Sequence, residues 1–151
     1  MRRKDREITD REEMELILQA APVCRLAMAR DGEPYVVPVC FGYDGESIFI
    51  HSAREGEKIE ILRQNPRACV EVDLTAGPIK DENPCAWEMQ YKSMICRGVA
   101  HFVEDPGEKQ MALDCILHHY GAESHPFSEK KLQAVCVIRI EITEMTGKKM
   151  G

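Results

Sequence analysis

The segment that decides the fold is residues 49–58, which read Phe49-Ile50-His51-Ser52-Ala53-Arg54-Glu55-Gly56-Glu57-Lys58. Its apolar first part belongs to a predicted β-strand that runs from Ser47 to His51. A helix is predicted directly afterwards, from about Ala53 to Gln64, where Asn65-Pro66 stops it. Ser52 and Glu55 have the spacing of a capping box, so Ser52 is the predicted N-cap of this helix.

This strand-to-helix junction is a candidate anion site. The first N–H groups of a helix have no partner within the helix and carry partial positive charge, which suits a phosphate. Arg54 and Lys58 are four residues apart and are predicted to share one face of the first turn, while Gly56 lets the backbone approach a ligand closely. A solvated charged face is the alternative for the two cations. A structural or exposed imidazole is the alternative for His51.

Apolar runs on both sides of the junction predict a mainly β fold with peripheral helices. The predicted strands are Val23 to Ala29, Tyr35 to Phe41, Ser47 to His51, Arg67 to Asp73, Ser93 to Val103 and Val135 to Ile142. Asp31-Gly32 is a hairpin signal between the first two strands. Six short strands with mostly tight connections favour a barrel, and closure of a barrel removes exposed strand edges.

Two further helices are predicted outside the junction. The first has a capping box at Thr9/Glu12 or at Asp10/Glu13, an apolar stripe at Met14, Ile17, Leu18 and Ala21, and a stop at Pro22. The second runs from about Pro106 to Tyr120 and ends at Gly121. Cys115, His118 and His119 lie on it; a metal contact through Cys115 and His118 is one interpretation, and chance composition of a helix face is the other.

Length and composition indicate one domain, residues 1–151, of an ordinary globular protein expected in the cytoplasm. The net charge of −6, with both signs interleaved, argues against a nucleic acid partner, and no apolar run is long enough to span a membrane. No apolar stretch behind the basic N-terminus resembles a signal peptide. The seven scattered cysteines contain no CxxC pair, and most are expected to be buried, reduced thiols.

The order of several short motifs resembles a known family. The motifs are Val23-Cys-Arg-Leu-Ala-Met28, Pro34-Tyr-Val-Val-Pro-Val39, Phe49-Ile-His-Ser-Ala53 with Gly56 and Lys58, Asn65-Pro66, Cys85-Ala-Trp87, Tyr91-Lys-Ser93 and Gly98. Together they resemble the pyridoxamine-phosphate-oxidase-like flavoproteins, and among them the branch related to nitroimidazole-resistance proteins. The resemblance covers nearly the whole chain, from about Arg2 to Lys148.

This resemblance implies a six-stranded split β-barrel and a homodimer with FMN at the interface between subunits. It implies that Lys58 holds the flavin phosphate and that Ser52 and Ala53 line the approach to it. Arg25 stands where relatives often carry a phosphate-binding arginine. The strand residues Val37, Pro38 and Val39 are expected to lie against the isoalloxazine ring, and His51 is expected near the flavin.

Two residues in the next motifs have open alternatives. Trp87 is expected either to form part of the flavin or substrate pocket, contributed from the partner subunit, or to be a core or dimer-interface aromatic. Ser93 lies in a segment that relatives use near the cofactor, and the start of an ordinary strand is the other interpretation.

The function implied is that of an FMN-dependent oxidoreductase with His51 as the catalytic group. Electrons are expected to come from NAD(P)H or another donor and to pass to a small substrate such as a nitroaromatic compound. The alternative is a non-catalytic split-barrel protein that binds flavin or haem, with His51 as the iron ligand in the second case. A deazaflavin in place of FMN also stays open.

Overall fold

The computed structural model describes all residues, 1–151. The strands are β1 (Glu7–Ile8), β2 (Cys24–Arg30), β3 (Glu33–Val39), β4 (Gly42–Tyr43), β5 (Ser47–Ser52), β6 (Arg67–Ile79), β7 (Glu88–Val103) and β8 (Cys136–Met150). The helices are α1 (Arg11–Ala20), α2 (Glu57–Gln64), α3 (Pro106–His119) and α4 (Glu129–Ala134). Single 3-10 turns occur at Lys4–Arg6 and Pro84–Ala86.

All eight strands belong to one antiparallel sheet, in the order β3-β2-β6-β7-β8-β5-β4 with β1 paired to β8. Six of these strands are longer than two residues, and they correspond to the six predicted strands. The architecture is that of a split β-barrel, as predicted. The sheet does not close, however, so the expectation that closure removes the edges is wrong. The edge strand β3 contains Pro34 and Pro38, which lack the N–H that another strand would need.

Local sequence signals explain the first elements well. Asp10 caps α1, and its side chain accepts a hydrogen bond from the Glu12 N–H at 3.1 Å. Ile17 and Leu18 are the residues of this helix that enter the core. Asp31 and Gly32 both have positive φ, 52° and 81°, which is the geometry of a tight hairpin turn between β2 and β3.

The main core fills the inside of the sheet, and a second, smaller cluster is formed by Val103, Ala112 and Val137. Alternate residues along the strands point inward, for example Leu26 in β2, Ile50 in β5 and Ile140 in β8, each fully buried. Helix α3 lies so close to β4 that a Cβ added at Gly42 would be 2.7 Å from the backbone of Cys115. All seven cysteines are free, but only Cys24 and Cys96 are buried, so the expectation of mostly buried thiols is wrong.

Strands β6 and β7 extend well beyond the predicted ends at Asp73 and Ser93. Their far part, Thr75–Tyr91, is here called the arm. Beyond the Tyr91–Met150 pair, β6 and β7 pair only with each other, and the arm exposes Ile79, Trp87 and Met89. Sequence patterns miss such an extension, because exposed residues on both faces of a hairpin show no alternation.

Helix α4 is also absent from the prediction, as are the two-residue strands β1 and β4. Ser128 is the N-cap of α4 and accepts a hydrogen bond from the Lys131 N–H at 3.3 Å. Ser128 followed by Glu129 is a helix start signal that could have found it. None of the helices is long and apolar enough to cross a membrane.

Candidate functional site

The end of β5 presents His51 and Ser52, which pair with Val137 and Cys136 of β8. Ile50 points into the core, so the next side chain, His51, points to the opposite face of the sheet. The His51 imidazole is exposed and makes no hydrogen bond within the chain. It is therefore free to contact a ligand.

Helix α2 begins at Glu57, later than the predicted start at Ala53. Its N-cap is Gly56, with a φ of 140°, and no side chain caps the helix. The Ser52 hydroxyl instead donates to the Ala53 carbonyl at 3.0 Å, so the prediction of Ser52 as N-cap is wrong. The physical reason is Gly56, whose positive φ breaks the helical path and postpones the first turn.

The residues Ser52–Lys58, here called the strand-end segment, leave positive groups without partners. The first helical hydrogen bond in α2 joins the Glu60 N–H to the Gly56 carbonyl at 3.1 Å, and no side chain accepts from the N–H groups before it. Lys58 is half-buried and has no hydrogen bond or ion pair within the chain. An uncapped first turn beside an unpaired ammonium group is suited to a phosphate.

Arg54 lies before α2 and does not share a helix face with Lys58, so that prediction is wrong. Its guanidinium donates to the Gln133 carbonyl in α4. Burial raises the pKa of Cys136, the strand partner of Ser52; Arg63, Lys109 and Arg54 act to lower this pKa, and Glu104 acts to raise it.

A pocket of about 310 Å³ lies beside His51. Its other lining residues are Leu113, Ile116 and Leu117 of α3, Phe127, Lys131 of α4, and Val135. The lining is apolar except for the imidazole and the lysine. This composition, an apolar floor with two polar groups at the rim, is typical of small-molecule sites, and the volume is near the lower end of their usual range.

A second group of predicted residues lies on neighbouring strands elsewhere in the sheet. Arg25 in β2 pairs with Pro38 in β3, and its guanidinium lies 2.9 Å from the Asp73 carboxylate and 3.7 Å from that of Glu71. These three charged residues are here called the Arg25 cluster. Burial, and then the nearby Asp73, raise the pKa of Glu71, while Arg25 acts in the opposite direction. Ser93 joins this group because it pairs with Asp73.

The predicted ring-binding strand, Val37 to Val39, belongs to the edge strand β3. Val37 and Val39 pack against the core, whereas Pro38 is exposed between them. Because β3 has a neighbour on one side only, backbone groups on its other side are free for a ligand. The strand-end segment lies in a different part of the sheet order, beyond β8.

Trp87 lies in the arm and is held by its own loop. The indole N–H donates to the Asp81 carbonyl at 2.7 Å, and the Lys80 ammonium lies 5.4 Å from the ring centroid. The side chain is exposed, and no contact within one chain joins it to His51. The expectation that it acts in the pocket of a partner subunit stays a prediction.

A family model described as pyridoxamine 5'-phosphate oxidase matches residues 10–149. The chain belongs to this family. The family predicted from the sequence motifs is therefore confirmed.

Solved structures of similar proteins agree with this membership. A Bacteroides thetaiotaomicron protein provisionally named as a 5-nitroimidazole antibiotic resistance protein is 36% identical, with a TM-score of 0.84 over 94% of this chain and 85% of that one. A FAD-binding protein of Mesorhizobium loti is 28% identical, with a TM-score of 0.70 over 97% of this chain and 98% of that one. A FAD and haem binding protein of Mycobacterium smegmatis shares the fold, at 23% identity and a TM-score of 0.86 over 95% of this chain and 73% of that one.

Among curated proteins, an uncharacterized protein of Rhizobium meliloti (strain 1021) is 32% identical over 91 residues, which is 60% of this chain. The match covers 53% of that protein, so the chain spans about half the length of this relative.

Several residues of this pyridoxamine 5'-phosphate oxidase family member were not predicted at the site. Phe127, Lys131 and Val135 line the pocket beside His51, and Lys109 is one of the cations near Cys136. They come from α3, the connection to α4, α4 itself and the residue after it, far from His51 in sequence. His118 and His119, in contrast, make local contacts, at 2.9 Å to the Ser124 hydroxyl and 2.7 Å to the Ala21 carbonyl.

Proposed function

We propose that the chain is an FMN-dependent oxidoreductase that holds the flavin phosphate at the strand-end segment. The observation that carries this proposal is the uncapped start of α2 beside the unpaired Lys58. Ser52 and Ala53, which lie between the end of β5 and the start of α2, would line the same position. A phosphate there would find backbone donors, a hydroxyl and an ammonium group.

The isoalloxazine ring would be bound by residues other than those that hold the phosphate. The free backbone side of β3, from Val37 to Val39, offers hydrogen-bonding groups to the polar edge of the ring. A single chain provides this surface and the strand-end segment in different parts of the sheet, which favours a site completed by two subunits. We therefore include a homodimer with FMN at the interface in the proposal.

Exposed apolar groups support the homodimer. Val36 in β3 is 60% exposed and Ile95 in β7 is 41% exposed. Both lie on strands of the sheet. The arm contains two further exposed apolar residues, Trp87 and Met89. Burial of these side chains against a second copy would remove them from water, and Trp87 would then be able to reach the partner's flavin.

FMN would supply the electron-transfer chemistry, while the protein binds and orients the reactants. His51 would donate or hold a proton at its imidazole next to the ring, because the imidazole is exposed and has no competing partner within the chain. The pocket beside it would accept a small substrate, and its apolar floor would exclude water. The reduced nicotinamide NADPH or NADH is the proposed electron donor.

A nitroaromatic compound is the first substrate to test. The Bacteroides thetaiotaomicron protein that shares 36% identity carries 5-nitroimidazole resistance in its provisional name. A flat five-membered ring suits a pocket of about 310 Å³ with an apolar floor. His51 and Lys131 at the rim would face the polar nitro group.

A non-catalytic flavin or haem protein is the second candidate, and the unpartnered His51 imidazole is the observation that favours it. An imidazole beside an apolar pocket is able to ligate iron. The Mycobacterium smegmatis relative that shares the fold is described as binding FAD and haem.

The visible absorption spectrum of the purified protein tests both proposals, followed by release and mass determination of the chromophore. Flavin bands and a released mass equal to that of FMN are the expected result. A Soret band would replace the first proposal by haem binding. A colourless protein that takes up neither FMN nor haem would contradict both.

A further inference from the structure

The C-terminal end of α4 is bound by two cations from other parts of the chain. The Lys109 ammonium in α3 donates to the carbonyls of Leu132 at 2.8 Å and Val135 at 2.9 Å. The Arg54 guanidinium donates to the carbonyl of Gln133. The last carbonyls of a helix lack partners and carry partial negative charge, so cations there are stabilising. Three carbonyls at the end of one short helix are satisfied in this way.

Lys109 is buried, with 4% of its surface exposed, and it forms no ion pair with a carboxylate. A buried charge is costly unless hydrogen bonds compensate it. Here the compensation comes from the carbonyls at the end of α4, so the position of α4 against α3 and the burial of Lys109 depend on each other.

Arg54 extends this arrangement to the strand-end segment. The pairing of β5 with β8 stops at Ser52, and the helical hydrogen bonds of α2 begin only with Glu60. Between Ser52 and Glu57, the bond from Arg54 to Gln133 is the only side-chain hydrogen bond to another element. The conformation of this stretch therefore depends on where α4 lies.

We propose that Lys109 and Arg54 are positioning residues for the flavin phosphate, and that they act through α4. Lys109 fixes α4, the Gln133 carbonyl fixes Arg54, and Arg54 holds the backbone of the strand-end segment open in front of α2. This inference rests on the proposed phosphate site. It assigns a role in cofactor selection to Lys109, a buried side chain with both hydrogen bonds directed at the end of α4.

The deciding experiment compares FMN with riboflavin, which lacks the phosphate, on the Lys109→Met variant. Methionine keeps most of the length and the apolar stem but removes the donors. We expect the preference for FMN over riboflavin to fall by about tenfold, the effect of losing well-placed charge-assisted contacts, while riboflavin affinity stays unchanged. Lys130→Met is the matched control, because Lys130 is exposed on the same helix as Gln133 and makes no hydrogen bond. A folded Lys109→Met protein with an unchanged preference would overturn the inference.

Ser128→Ala provides a second variant if Lys109→Met does not fold. It weakens the N-cap of α4 without touching either cation, and a smaller loss of the same preference is expected. An unchanged preference in this variant would also overturn the inference.

Hydrogen exchange on the flavin-free protein separates this inference from the proposed function. Amides of residues 53–57 should exchange faster in Lys109→Met than in wild type or Lys130→Met. A wild-type protein that binds both flavins equally would contradict the phosphate site, and with it the role in cofactor selection. Unchanged exchange would contradict the link through α4, whatever the flavin affinities are.

Discussion

Lys58 in the strand-end segment and Arg25 in the Arg25 cluster were both assigned to the flavin phosphate from the sequence, yet only Arg25 has charged partners within the chain. Lys58 has no partner within the chain, and α2 begins without a cap. Arg25 lies between two carboxylates, at 2.9 Å from Asp73 and 3.7 Å from Glu71. Nearby carboxylates weaken the attraction of a cation for a phosphate, so we propose Lys58 rather than Arg25 as the principal ligand of the flavin phosphate.

The largest expected effect concerns His51, the residue directly before the strand-end segment. His51→Ala should lower turnover of a small acceptor by about 100-fold or more, the usual contribution of a general acid or base, and should change FMN affinity little. Steady-state rates and a flavin titration on the same preparations check this. Equal turnover in the variant would remove His51 from the chemistry and restrict it to binding.

Lys58→Met should weaken FMN binding by about 1.5–3 kcal/mol, because a charge-assisted hydrogen bond to the phosphate is lost. The free energy of unfolding should stay unchanged, since Lys58 has no partner to lose. A flavin titration by fluorescence quenching measures the first quantity and urea unfolding of the flavin-free protein measures the second. Lys130→Met is the control, and an unchanged FMN affinity would exclude Lys58 from the phosphate site.

Arg25→Met should give the reverse result, with a loss of stability and only a small loss of FMN affinity. The loss of stability should be below about 1 kcal/mol, because the side chains of Arg25, Glu71 and Asp73 are all at least about a third exposed and solvent screens them. The same two titrations check it. A loss of FMN affinity as large as that of Lys58→Met would show that the carboxylates do not neutralise the charge of Arg25. It would contradict the proposed difference between Arg25 and Lys58.

The smallest expected effect is a pH dependence of the free energy of unfolding that arises from the Arg25 cluster. Burial and Asp73 raise the pKa of Glu71 above its ordinary value of 4.5. Between the pKa of Glu71 in the unfolded chain and its raised pKa in the folded protein, the folded protein therefore binds more protons than the unfolded chain. The free energy of unfolding falls as pH rises through this range. Arg25→Met removes the opposing cation, so this fall should become larger and continue to higher pH.

Urea unfolding of wild type and Arg25→Met at a series of pH values from about 4.5 to 7 measures this difference. Glu71→Gln in both backgrounds is the control, because it removes the titrating group. A difference between wild type and Arg25→Met that survives in the Glu71→Gln background would assign the effect to another carboxylate.

The elements predicted from sequence are those whose signals are local. Asp10 before α1, Asp31-Gly32 between β2 and β3, and Gly121 after α3 each specify a start, a turn or a stop within a few residues. The candidate strand-end segment was also found this way, from a strand that ends next to a glycine and a lysine. The errors lie where one local signal competes with another: Ser52 has the capping-box spacing, but Gly56 decides where α2 begins.

By itself, the sequence determined the strands, the hairpin, the family and the candidate cations Arg25, Arg54 and Lys58. Only the tertiary structure decided which of those cations is free. Arg25 and Asp73 are 48 residues apart, and Arg54 and Gln133 are 79 apart. Local backbone preferences act over a few residues, whereas the compensation of a charge depends on which distant groups the folded chain brings beside it.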